Sequence, residues 1–186
     1  MTGSPGVCGL LLAAGGGRRY GMPKALVPTP GNPGELLVEH GVRTLREGGC
    51  SPVVVVLGAG AQSVPELPGT RVVVNPEWAS GMGSSLRTGL AEAEGDAVVV
   101  LLVDTPGVTA EAVRRMSAGA DASSLRVATY HGERGHPVLL GRAHWDGVAE
   151  LAVGDVGARP YLRSRKPELV ACEDVADGRD LDVPDA

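Results

Sequence analysis

Gly9–Lys24 reads GLLLAAGGGRRYGMPK. It closes an apolar run, Val7–Ala14, that has the length and continuity of a buried strand. The run breaks at Gly15-Gly16-Gly17, and the cations Arg18, Arg19 and Lys24 follow. Glycines let backbone N–H groups approach a phosphate closely, and guanidinium and ammonium groups neutralise it. A strand feeding such a turn is an anion site, and three nearby cations point to a nucleoside triphosphate.

Working outward, strand-length apolar runs recur at Pro52–Leu57, Arg71–Val74, Ala97–Val103, Arg126–Tyr130 and Leu169–Cys172. The best are near-continuous Val and Leu, as in strands covered on both faces. Helical spacing falls between several of them. Val38, Val42 and Leu45 follow i, i+4, i+7, with Gly48-Gly49 as a stop. Leu86, Leu90 and Ala93 repeat the pattern after Ser84-Ser85, which can cap. Thr109 is an N-cap for Ala110–Ala118. This alternation predicts an α/β chain with a mostly parallel central sheet flanked by helices. Ligands bind such sheets at the carboxyl ends of strands, where Gly15, Gly58 and Asp104 fall. Pro28–Gly34 reads as a Pro/Gly-rich loop. Residues 131–166 are more polar and read as an insertion or lid, and the acidic stretch Glu173–Ala186 as a solvated terminus or a source of ligands.

A chain of 186 residues fits a single domain, residues 1–186. It has no Phe and few aromatics, so the core is built from Val, Leu and Ala. The net charge of −5 disfavours non-specific nucleic-acid binding, yet allows a local cationic pocket. Cys8, Cys50 and Cys172 lack metal-ligand spacing and read as buried free thiols, which suits a reducing compartment. No apolar run approaches the roughly 20 residues a bilayer requires. The start, MTGSPGV, lacks the basic region of a signal peptide. A cytoplasmic protein without a membrane partner is the expectation.

Asp104 ends the run Val100–Pro106, VLLVDTP. A carboxylate at the end of a buried strand faces the cleft and can hold Mg²⁺, or it can simply form a turn. Asn75–Leu90, NPEWASGMGSSLRTGL, places a glycine-rich loop before a helix. That helix N-terminus suits a phosphate or the edge of a base. The Gly15–Gly17 turn is not followed by Gly-Lys-Ser/Thr, so it is no Walker loop. Its glycine spacing also misses the dinucleotide fingerprint of NAD-dependent oxidoreductases.

Leu12–Lys24, LAAGGGRRYGMPK, resembles the signature LAAG-x-S-x-R-M-G-x-x-K of the MobA-like nucleotidyltransferases. Gly17 stands where that pattern has Ser, and Tyr20 where it has Met, so backbone amides must serve at the first position. Asn75–Leu90 is similar to the N-x-x-W/Y-x-x-G-M-x-x-S-L-x-x-G-L segment of the molybdenum cofactor cytidylyltransferase branch. Gly135–Leu140 (GHPVLL), Gly154–Arg159 (GDVGAR) and Asp180–Asp185 (DLDVPD) resemble further elements of that branch, in order, over Gly9–Asp185.

The resemblance implies a Rossmann-like fold of the GT-A type and transfer of a nucleoside monophosphate from an NTP, with CTP favoured. It implies a small phosphate-bearing acceptor, molybdopterin foremost, and a molybdoenzyme or cofactor-delivery partner. Guanylyl transfer, a sugar-1-phosphate acceptor and non-catalytic nucleotide binding are the alternatives. By the same resemblance Arg19, Lys24 and Asp104 carry catalysis. The nucleotide lies against Leu12, Ala13, Ala14, Gly15, Gly17, Gly58, Ala59, Gly81, Met82, Ser84 and Ser85. His136 and Arg159 meet the acceptor, unless the first is structural and the second a surface ion pair. Mg²⁺ binds Asp104 with Asp180, or with Asp182 in its place.

Overall fold

The computed structural model describes residues 6–184. The first residues of MTGSPGV, and Asp185 with Ala186, lie outside the described residues. In chain order the elements are β1 (Val7–Ala13), β2 (Pro28–Thr29), β3 (Asn32–Leu36), α1 (Leu37–Glu47), β4 (Val53–Leu57), β5 (Arg71–Val74), α2 (Met82–Glu92) and β6 (Ala97–Leu102). Then follow α3 (Ala110–Ser117), β7 (Leu125–Tyr130), β8 (Glu133–Gly141), α4 (Trp145–Leu151), α5 (Arg159–Arg163) and β9 (Glu168–Ala171).

Seven strands form one sheet in the order β5-β4-β1-β6-β8-β7-β9. β1 lies between β4 and β6, parallel to both, with Leu11 level with Val55 and Leu101. β8 alone runs against its neighbours, β6 and β7. The sheet is mostly parallel and Rossmann-like, as expected.

Successive side chains of β1 serve two cores, as the two-residue period of a strand dictates. Leu11 and Ala13 face α1 and α3, where Val38, Val42, Leu45, Val113 and Met116 meet them. Cys8, Leu10, Leu12 and Ala14 face the opposite side, against Leu86, Leu90, Trp145, Val148 and Leu162. Helices on both faces explain why the strands read as unbroken Val and Leu. Gly41 of α1 sits over Leu11 and Gly89 of α2 over Leu10, with no room for a side chain between helix and strand.

Several boundaries follow the sequence. α1 stops at Gly48, with Gly49 at φ 94°. Thr109 caps α3, its Oγ1 accepting from Ala112 N at 3.2 Å. All three cysteines are free and buried.

Other expectations need correction. Ser84 and Ser85 lie inside α2, which starts at Met82 after Gly81, so neither caps it. Pro28–Gly34 is not an open loop but most of a hairpin, β2 with β3. Residues 131–166 supply β8, an interior strand of the sheet, and α4 and α5, whose Trp145, Val148, Tyr161 and Leu162 are buried. A polar lid could not do this. Charged residues at both ends of β8 mask its short apolar centre, Val138–Leu140. The stretch after β9 is likewise no free tail. Cys172 is fully buried, and Asp177 N donates to Gly107 O at 3.0 Å and Leu181 N to Asp104 O at 2.7 Å. Among the described residues no helix is long and apolar enough to cross a membrane.

Candidate active site

The chain ends of β1 and β6 open on a cleft of about 490 Å³. Its lining includes Gly15, Gly16, Gly17, Arg18, Lys24, Trp78, Gly81, Met82, Ser85, Asp104 and Asp155. The glycine turn is closed by Gly21 N donating to Gly17 O at 2.8 Å, and Gly17 has φ 64°. A Cβ there would fall on the carbonyl of Met22. The turn as built therefore has no room for the serine of the family pattern.

Lys24 crosses the cleft floor. Its Nζ donates to Asp104 Oδ2 at 3.0 Å and lies 3.6 Å from Asp182 Oδ1. The bond from Leu181 N to Asp104 O anchors the chain on both sides, so Asp104, Asp180 and Asp182 converge. One ligand oxygen from each lies within 4.8 Å of the others. The Asp180 carboxyl titrates above its ordinary value. Burial is the main cause, the Asp104 and Asp182 charges add to it, and Lys24 opposes it. Three hard carboxylates at this spacing are a donor set for Mg²⁺ or Mn²⁺.

Asn75 organises the far wall. Buried, it donates through Nδ2 to Ser84 Oγ at 2.8 Å and Ser85 Oγ at 3.0 Å, and its Oδ1 accepts from Glu77 N at 2.9 Å. Asn75→Ala leaves Ser85 Oγ and Glu77 N without this partner, while Ser84 keeps its carbonyl acceptors, and we expect a stability loss of about 2–3 kcal/mol in urea unfolding. An unchanged midpoint would show that the network contributes nothing. Gly81, at φ 117°, lets the segment 154–155 close on α2. Gly83 N donates to Gly154 O at 2.9 Å, and Asp155 Oδ1 would lie 2.7 Å from a Gly81 side chain.

A second, larger cavity of about 1260 Å³ adjoins the first, and both are lined by Met82, Leu102 and Asp155. Its lining includes Tyr130, Arg134, His136, Arg159, Arg163 and Asp180. The Tyr130 hydroxyl donates to His136 O at 2.6 Å. Among the described residues Arg134, Arg159 and Arg163 make no ion pair, so Arg159 is not the surface salt bridge that the sequence left open.

Burial holds the His136 imidazole at about 4, well below its ordinary 6.5; Asp104 opposes the shift and Arg159 adds to it. It therefore stands neutral at pH 7. Below pH 6.5 the unfolded chain takes up a proton that the folded chain refuses, so stability falls until about pH 4. His136→Gln should flatten this part of the pH–stability curve. An identical slope in urea titrations of the two proteins would contradict the assignment.

The structure brings together Leu12, Ala14, Gly15, Gly17, Lys24, Gly81, Met82, Ser85 and Asp104 at the first cleft, and His136 with Arg159 at the second. Other expected residues are placed elsewhere. Arg19 is exposed and outside the lining, where Arg18 takes its place. Ala13 faces the α1 side of the sheet. Gly58 backs onto Trp78, and Ala59 N donates to Ala14 O at 3.0 Å, so neither lines the cleft. The Ser84 hydroxyl is turned toward the carbonyls of Gly81 and Glu77, at 3.0 and 3.1 Å. The sequence marked Arg18 only as one of three nearby cations and gave no role to Asp155 or Trp78, whose ring would lie 3.0 Å from a Gly16 side chain. A lone tryptophan before a glycine loop was the available signal for the last.

A Rossmann-like sheet with a glycine turn after β1, Asp104 after β6 and two further carboxylates brought beside it from the segment after β9 has a nucleotidyltransferase architecture. Residues 9–169 match the MobA-like NTP transferase domain, and the chain belongs to that family. It is 41% identical to nicotine blue oxidoreductase of Paenarthrobacter nicotinovorans, covering 98% of this chain and 95% of that protein. It is 34% identical to a probable molybdenum cofactor guanylyltransferase of Mycobacterium bovis, over 70% of this chain and 64% of that one. Among solved structures it resembles the rv0371c homologue from Mycobacterium sp. strain JC1. The TM-score is 0.80 at 32% identity, over 95% of this chain and 90% of that one. Rv0371c of Mycobacterium tuberculosis in complex with manganese aligns at a TM-score of 0.72 and 27% identity, over 89% and 86% of the two chains.

Proposed function

We propose that this chain transfers a nucleoside monophosphate from an NTP, CTP by preference, to the phosphate of a molybdopterin-type acceptor, releasing pyrophosphate. The observation that carries the reading is the cluster Asp104–Asp180–Asp182, with Lys24 in contact, at the mouth of the glycine turn. The backbone of Gly15–Gly17, with Arg18 and Lys24, receives the triphosphate. Trp78 and Met82 wall the same cleft and offer an apolar face to the base. The three carboxylates would hold Mg²⁺, which would supply neutralisation of the phosphate charge there. Arg134, Arg159 and Arg163 bind the anionic acceptor in the second cavity. Neutral His136 accepts or donates a hydrogen bond there without adding charge.

An acceptor phosphate oxygen forms a bond to the α-phosphorus, and the bond from that phosphorus to the bridging oxygen breaks. The electron pair leaves with pyrophosphate. A phosphate monoester is already ionised, so no Ser, Cys or general base is required, and positioning with charge neutralisation carries the rate. Three buried free thiols suit the cytoplasm.

The test incubates the protein with Mg²⁺, each of the four NTPs and molybdopterin, and measures pyrophosphate. CTP-dependent release is expected. GTP-dependent release would move the base preference, and none with any NTP would overturn nucleotidyl transfer. A second reading rests on the oxidoreductase name of the 41% identical relative. It predicts that the same protein changes the redox state of nicotine blue when an electron donor or acceptor is added, with no pyrophosphate released.

A further inference from the structure

We propose that Lys24 is a built-in substitute for the metal: its ammonium occupies the carboxylate cluster until a polyanionic nucleotide draws it away, so that metal and nucleotide admit one another. The proposal rests on the reading that Asp104, Asp180 and Asp182 hold a divalent ion. Three carboxylates whose oxygens lie within 4.8 Å repel one another unless a cation is present. Lys24 Nζ supplies one, 3.0 Å from Asp104 Oδ2 and 3.6 Å from Asp182 Oδ1. It thus contacts two of the three carboxylates that form the cluster. A divalent ion binds carboxylate oxygens at roughly 2.0–2.6 Å. It and the ammonium compete for the same carboxylates and repel each other besides.

Lys24 has somewhere else to go. The same side chain lines the cleft beside Gly15–Gly17 and Arg18, where no carboxylate of the cluster would be needed to satisfy it once phosphates are present. Its backbone is fixed at the first position of the turn Lys24–Leu26, just after Pro23, so the flexible stem alone moves. A nucleotide offers the ammonium several phosphate oxygens in exchange for two carboxylates. Departure of Lys24 exposes the cluster at the moment a phosphate is present to share the ion. Linkage makes the effect reciprocal: whatever factor the nucleotide adds to metal affinity, the metal adds to nucleotide affinity.

Phosphate oxygens coordinating the metal also produce cooperativity, so the decisive quantity is metal affinity without nucleotide. Mn²⁺ alone is titrated into the wild type, Lys24→Met, Lys24→Gln and Lys24→Arg by calorimetry or by loss of the free-ion paramagnetic signal. Circular dichroism verifies that each is folded. Lys24→Met and Lys24→Gln should bind Mn²⁺ about tenfold more tightly than the wild type, and Lys24→Arg within about twofold of it. The factor by which pyrophosphate raises Mn²⁺ affinity should shrink in the two neutral variants. Equal or weaker Mn²⁺ binding by both neutral variants overturns the proposal while leaving the metal site intact. Failure of every protein to bind Mn²⁺, with or without pyrophosphate, overturns the metal reading and the proposal together.

Discussion

Asp104→Asn should lower the rate of pyrophosphate release by about a thousandfold or more, with little change in folding stability. The rate loss follows from the position of the side chain. Asp104 ends the chain segment leaving β6 and is the least exposed of the three carboxylates. It is also the closest acidic partner of Lys24, at 3.0 Å. Removing its charge takes one ligand from the metal cluster and a counter-charge from the lysine in a single step. Charge stabilisation of this kind is commonly worth several kcal/mol in the transition state, and each 1.4 kcal/mol is tenfold in rate.

Stability is spared for two reasons. Asparagine keeps the shape, and the Leu181 N–H bond is to the backbone oxygen of residue 104, which the substitution leaves in place. The lost ion pair is also offset, because Asp180 and Asp182 no longer face a third negative charge. Steady-state pyrophosphate assays, a Mn²⁺ titration and a thermal melt together check this. An Asn variant with wild-type turnover would remove Asp104 from the mechanism.

The second large effect runs against the family pattern. Gly17→Ser restores the residue found in the MobA-like signature, yet it should weaken nucleotide binding at least tenfold. The glycine sits at φ 64°, where a side chain is strained, and a Cβ would meet the carbonyl of Met22. The bond from Gly21 N to Gly17 O closes the turn over that same carbonyl. A serine can enter only by reopening the turn, which would disperse the amides proposed to receive the phosphates. Arg18 and Lys24 would move with it, since both belong to the segment the turn controls. Nucleotide titration by thermal shift reads the loss. Equal or tighter binding in the serine variant would mean that the turn is more compliant than its geometry implies.

The fold was legible in the sequence wherever a single local signal decided it. Val53–Leu57 and Ala97–Leu102 are strands because nothing but Val, Leu and Ala is present, and Thr109 caps α3 because its hydroxyl is the right distance from the helix start. β8 was not legible, because its flanks carry Glu133, Arg134 and Arg142, and only Val138–Leu140 shows the core. Its entry did carry a signal: His131 and Gly132 both have positive φ and form a two-residue hairpin loop between Tyr130 and Glu133. The site divided in the same way. Lys24 and Asp104 stood out because cations beside glycines and an acid after a buried strand are local patterns. The choice between Arg18 and Arg19 depends on how one turn twists, which spacing does not encode. The roles of Ser84 and Ser85 separated because Asn75 holds both, while the carbonyls of Gly81 and Glu77 engage only the first.

The pairing of Leu181 with Asp104 has a consequence for the order in which the protein is made. β1, β6 and the glycine turn are all synthesised well before residues 180–182 leave the ribosome. Domains begin to fold during synthesis, so the sheet and its phosphate-binding turn form around an acidic group that still lacks its two companions. The charge cluster is finished only once residues 180–182 have followed. A chain cut short before Asp180 would keep the residues of its sheet and glycine turn while lacking two of the three clustered carboxylates. On the proposed function such a chain would be impaired as a catalyst, so intact mass is the quantity to verify before any preparation is judged inactive.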